Sequence, residues 1–202
     1  ISGSQTLATI LSDSEAEVDA WSNNTKPFGV KILLYNSNNP AIVYTTDCLK
    51  ADTTFNLNTN DYFAQAVRSG KLSVSFGKND VTGHTRIYLT SDMRMKSPYK
   101  IGLEYQADEE IDLRVWECSQ ASSFHSYGMK GFTDGSDKCS ISDMATGHYT
   151  ISVGSCVNRN FHTTCYGDKV RDTYAAIGTI SSFSSYGVDV NGVSHPYIVV
   201  PG

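Results

Sequence analysis

Charge is the first thing this sequence is short of. Only 18% of its 202 residues are Asp, Glu, Lys or Arg, below the roughly 25% of ordinary soluble domains. Helices that face water need such residues on their outer side, so a helix-rich fold is disfavoured. The net charge is −5, with no basic patch. Nucleic acid and anionic lipid are therefore not expected partners. No stretch approaches the roughly 20 apolar residues of a membrane helix, and no membrane span is expected. There is no leader with a charged start and an apolar middle, and the first residue is Ile1; the expectation is a piece cut from a longer protein. The cysteines Cys48, Cys118, Cys139, Cys156 and Cys165 form no CxxC pair and no Cys/His cluster at zinc spacing. Their odd number excludes complete internal pairing. Cys156 with Cys165, and Cys118 with Cys139, are candidate bridges. Free thiols acting as small hydrophobes are the other reading, and compartment stays open.

Tyr, Thr, Ser, Gly and Asn are abundant, a composition of strands and turns. Short alternating runs follow one another: Thr6–Leu11, Glu17–Trp21, Gly29–Tyr35, Ala41–Thr46, Lys71–Phe76, His84–Leu89, Tyr99–Tyr105 and Ile111–Trp116. Gly, Asn, Asp and Pro punctuate them at short intervals. Such spacing predicts an antiparallel, jelly-roll-like β-sandwich over residues 1–125. Its expected core is Val30, Ile32, Leu34, Ile42, Leu72, Val74, Ile87, Leu89, Ile101, Leu103, Leu113 and Val115. Residues 61–68 read as a short helix or an irregular connection. Glu17-Val-Asp-Ala-Trp21 and Glu110-Ile-Asp-Leu-Arg-Val-Trp116 echo each other. Coincidence between two amphipathic strands explains this as well as proximity of first and last strands does. Alternation sends Glu17, Asp19 and Asp112 to solvent.

After Trp116 the texture changes. Residues 126–138 read as a linker, and residues 139–202 as a second region. Within it, His148–Gly154 is a continuous apolar run of the kind found in buried, parallel strands. Tyr149-Thr-Ile-Ser-Val-Gly-Ser155, then Phe183-Ser-Ser-Tyr-Gly187, then Pro201-Gly202 resemble, in that order, a segment of subtilisin-like serine proteases. Ser142-Asp-Met-Ala-Thr146 sits where that family has a loop of small residues. The likeness covers under a third of the chain. It departs at Tyr186, at Val188 and at His195-Pro-Tyr197, but leaves the glycine turn and the closing Pro-Gly intact.

The resemblance implies a partial α/β catalytic domain of subtilisin type after the sandwich, and a Ser/His/Asp triad with an oxyanion-binding Asn in the parent enzyme. None of the family's catalytic motifs is found in this chain. Asp134-Gly135-Ser136 and Gly83-His84-Thr85 lie in the wrong context, so no catalytic residue is assigned. The implied arrangement places Asp, His and Asn before Ile1, and the serine after Gly202, with the sandwich as an insert. Ser142, Ala145 and Thr146 are then expected to border the pocket for the substrate residue preceding the scissile bond. The resemblance also implies a bacterial, secreted, cell-surface or periplasmic protein, acting on protein or peptide substrates.

Other signals are bland. His84, His125, His148, His162 and His195 show no ligand spacing, and no Gly-x-Ser-x-Gly elbow occurs. Asp47, Asp52, Asp61 and Asp80 have no EF-hand spacing, so neither metal nor cofactor is expected. A second function class is a non-catalytic sandwich that binds glycan or protein through Trp21, Tyr35, Tyr44 and Trp116. Core packing is the plainer reading of those rings. Strands of the second region, such as Ile198-Val-Val200, are expected to be loosely held, or to self-associate or dock on the sandwich.

Overall fold

The computed structural model describes all residues except 2–4, 57–60, 120, 142, 148, 172–174, 189–191 and 202. It divides into two units, residues 1–135 and 136–202.

The first unit is built almost wholly of strands: β1 (Leu7–Leu11), β2 (Glu15–Ser22), β3 (Phe28–Asn36), β4 (Ala41–Thr45) and β5 (Thr53–Phe55). The helix α1 (Asp61–Ala66) follows, then β6 (Val67–Ser69), β7 (Leu72–Lys78), β8 (Thr85–Asp92), β9 (Arg94–Met95), β10 (Tyr99–Ala107), β11 (Leu113–Glu117) and β12 (Phe124–His125). Two five-stranded sheets result, ordered β12-β1-β10-β3-β4 and β11-β2-β8-β7-β5. All pairings within them are antiparallel. Their inner faces share one core: Val30, Ile32, Ile101, Leu103 and Tyr105 from the first sheet meet Val18, Ala20, Leu72, Val74, Ile87 and Leu89 from the second. The unit is thus a β-sandwich, as the alternation of its strands demands.

Most of the expected core is found buried. Ile42, Leu113 and Val115 are only half-buried, because β4 and β11 are edge strands with one side open. The helix ends at Ala66, where Val67 begins to pair with Met95. The two echoing segments are neighbours: β11 pairs with β2, setting Arg114 opposite Trp21 and Trp116 opposite Asp19.

Contacts of the first unit continue past residue 125. Thr133 N–H donates to the Ala8 carbonyl at 2.8 Å, and Gly135 N–H to Phe124 O at 2.8 Å. Tyr127 stacks on Tyr35 with centroids 5.5 Å apart. All five cysteines are free thiols, so neither candidate bridge forms.

Among the described residues of the second unit there is no large sheet. A 3₁₀ turn (Asp143–Thr146) precedes β13 (Val153–Cys156), β14 (Phe161–Thr163), β15 (Lys169–Arg171), β16 (Gly187–Val188), β17 (Ser194–His195) and β18 (Ile198–Pro201). β13 and β18 pair in parallel, Val153 opposite Ile198, while β14–β15 and β16–β17 are antiparallel ribbons. His148, where a strand is expected to start, lies outside the described residues, and from Tyr149 onward the strand begins only at Val153. A turn closed by Thr150 N–H on Gly147 O, 2.9 Å, occupies the preceding residues and leaves Tyr149 96% exposed.

Candidate functional site

The distinctive geometry of the second unit gathers around Gly154 in β13. A Cβ there would lie 2.7 Å from Pro196 Cγ and 2.9 Å from Ser184 Oγ. Only glycine lets the strand approach both segments so closely. The approach is fastened by hydroxyls. Ser155 N–H donates to Ser184 Oγ at 3.0 Å, and the Ser155 and Ser181 hydroxyls lie 2.8 Å apart. Ser184 N–H closes a turn on Ser181 O at 2.9 Å, which leaves Phe183 76% exposed at its tip.

Beside this turn lies a cavity of about 320 Å³, lined in part by Ala145, Ser152, Val153, Phe183, Ser184 and Pro196. It is half open to solvent, and its walls combine the hydroxyls of four serines with the apolar side chains of Ile141, Ala145, Val153, Phe183 and Pro196. Of the expected pocket residues, Ala145 lines this cavity. Thr146 is half-buried in the same 3₁₀ turn. Ser142 lies outside the described residues.

One pair was not visible in the sequence. Ser152 Oγ lies 2.9 Å from His195 Nδ1, and Tyr197 N–H also reaches Ser152 Oγ at 3.2 Å. The two residues stand 43 positions apart and meet because β13 and β18 run in parallel register. Only knowledge of that register would have paired them. Ser152 and His195 are 4% and 3% exposed, so the pair is packed inside the unit. It pins the entry of β13 to the chain leading into β18. Nearby, Tyr186 is held above the ordinary phenol range, chiefly by its hydrogen bond to Asp137. Among the described residues no three His, Cys, Asp or Glu side chains converge to hold a metal ion.

In the sandwich, the four aromatic candidates have different fates. Tyr35 is buried. Tyr44 is half-buried and stacks on Tyr62 with centroids 4.9 Å apart. Trp21 is half-buried and Trp116 is 36% exposed, so neither indole belongs to the core. Glu17 and Asp19 are half-buried on the outer face, Asp112 exposed.

The fold is therefore a mainly β one: an antiparallel sandwich with a smaller unit built around a parallel strand pair. Among solved structures it is similar to the Clostridium perfringens CspB protease, with a TM-score of 0.51 and 15% sequence identity. The similarity covers 99% of this chain and 37% of that one, so the chain spans well under half the length of that protein. At this identity the likeness is one of fold. No protein-family model matches the chain, and no curated protein does.

Proposed function

We propose that these residues are part of a secreted or cell-surface, bacterial, subtilisin-like serine endopeptidase. The observation that carries the reading is the parallel pair β13–β18. Its apolar side chains Val153, Ile198, Val199 and Val200 are 43–52% exposed. A parallel pair of this kind is normally covered on both faces by helices and flanked by further strands. This pair has the form of two strands taken from a larger α/β sheet. The turn bearing Ala145 and the Phe183–Gly187 turn come in the family's order. The fold likeness to a protease adds support.

In this reading residues 139–202 contribute strands and one pocket wall to the catalytic domain. Ser142, Ala145 and Thr146 border the pocket for the residue before the scissile bond. Residues 1–125 form an inserted sandwich that shapes substrate access or partner binding, joined through residues 126–138. Peptide hydrolysis by the Ser/His/Asp triad is performed by residues outside these 202.

The test uses the full-length enzyme. Ala145→Leu fills the cavity and should lower kcat/KM for large apolar side chains about tenfold or more relative to Ala. Unchanged preference would remove the pocket assignment. The 202-residue chain alone should neither hydrolyse casein nor take a fluorophosphonate label. Labelling of Ser152 that disappears in His195→Ala would make this chain an enzyme in its own right.

A further inference from the structure

We propose that the outer face of the sheet β11-β2-β8-β7-β5 binds an uncharged oligosaccharide, stacked on Trp116 and hydrogen-bonded by Glu17, Asp19 and Arg86. The inference does not depend on the protease reading.

Strand register sets out the face as rows. Arg114, Trp21, Arg86 and Gly77 lie side by side across β11, β2, β8 and β7. Trp116, Asp19, Tyr88 and Ser75 form the next row. Glu17, Thr90 and Ser73 follow in a third. With roughly 4.8 Å between strands, the surface is broad enough for more than one sugar ring.

The polar groups are held rigidly. Arg86 Nε donates to Asp19 Oδ1 at 2.7 Å and its NH2 nitrogen to Oδ2 at 3.0 Å. Its guanidinium carbon lies 5.2 Å from the Trp21 ring centre and 4.6 Å from that of Tyr88. The Tyr88 hydroxyl donates to Glu17 Oε1. Side chains locked by one another lose little freedom when a ligand arrives. Each keeps spare capacity: a guanidinium carries five N–H donors and a carboxylate about four acceptor sites. Vicinal hydroxyls of a sugar need such adjacent donors and acceptors.

Trp116 stands on an edge strand, 36% exposed. Arg86 already covers Trp21 and Tyr88, so Trp116 is the ring left to pack against a pyranose. At the other end, Gly77 leaves open space beside Arg86, since a Cβ there would meet nothing within 4 Å. Ser75 and Thr90 are exposed nearby. Charge selects the ligand class. On these strands Glu15, Glu17, Asp19 and Asp92 outnumber Arg86 and Arg114, so the face does not favour a polyanion.

Trp21 and Trp116 are the only two tryptophans of the chain, so tryptophan emission, excited at wavelengths that tyrosine does not absorb, reports on this face alone. The 202-residue chain is titrated with hexasaccharides of cellulose, xylan, starch and chitin, and with heparin, by fluorescence and calorimetry. At least one neutral hexasaccharide should shift the emission and release heat, with little dependence on salt. Trp116→Ala should weaken that binding about tenfold or more, the scale of losing a stacked ring at a small site. Asp19→Asn should weaken it too, while Tyr62→Ala, an exposed ring elsewhere, should not. Circular dichroism and thermal melting check that each variant is folded; Trp116→Phe, which retains a ring, should recover part of the affinity if Trp116→Ala fails to fold. No response to any neutral sugar at millimolar concentration overturns the proposal. So does response to heparin alone, or binding that survives both face substitutions. Capture of a protein partner through these residues, with no sugar response, overturns it in favour of a protein-docking face.

Discussion

The two units are made of similar residues and treat them in opposite ways. In the sandwich Ile10, Val18, Ile32, Leu72 and Ile101 are completely buried. In the second unit Ile151, Val153, Ile198, Val199 and Val200 are 43–74% exposed. The cause is layering, not composition. A sandwich supplies both faces of its own core, whereas among the described residues the parallel pair is flanked only by a short bridge, Cys156 with Ile180, and no helix covers it. Fully covering side chains of this size is worth about 1.5–3 kcal/mol each. The second unit therefore stands to gain on the order of several kcal/mol from a covering partner, while the sandwich has no such need.

The sharpest way to break that contrast is to truncate equivalent residues in each unit. Ile32→Ala or Leu103→Ala should destabilise the chain by about 2–4 kcal/mol in urea unfolding, through lost burial and an unfilled cavity. Val199→Ala should change it by less than about 0.5 kcal/mol, as a surface substitution does. Equal costs would mean that the second unit has a core of its own. Hydrogen exchange should separate the units next. In the dilute chain, amides of Ile151–Gly154 should exchange well before those of Ile101–Tyr105, which lie in a central strand of the sandwich. Equal protection in a monomer would show the second unit stably folded without further cover.

The smallest expected effect lies on the outer face of the sandwich. The Tyr88 hydroxyl is pushed up to about 12, first by its hydrogen bond to Glu17 and then by desolvation. The unfolded phenol titrates near 10. Its folded value being the higher, the contribution is fully present below about pH 10 and is lost as pH rises through about 12. Tyr88→Phe should flatten the stability profile over that window relative to the parent chain. Parallel profiles would show the bond to be without consequence in solution.

Much of the sandwich was legible because alternation is a local signal. A strand with one face buried must place apolar residues at every second position, so Val30, Ile32, Leu72, Val74, Ile101 and Leu103 could be read off directly. The edge positions of Ile42, Leu113 and Val115 could not, since strand order depends on pairings between distant segments. The same holds for the echo between Glu17–Trp21 and Glu110–Trp116, which became meaningful only when β2 and β11 were found side by side.

The cavity beside Ala145 divides along the same line. By itself the sequence determined a β-rich chain without a membrane-spanning helix and its alternating core positions; a loop of small residues around Ala145 was only what the family resemblance implied. Glycine patterning and side-chain size express themselves within a few residues. Only the tertiary structure decided that Ser152 would meet His195, that the strand would start at Val153 rather than before it, and that Asp19, Arg86, Trp21 and Tyr88 would lock together on one face. Each of these follows from register between strands far apart in sequence. Register is set by the sum of many weak contacts across the fold, and no single stretch of residues carries it.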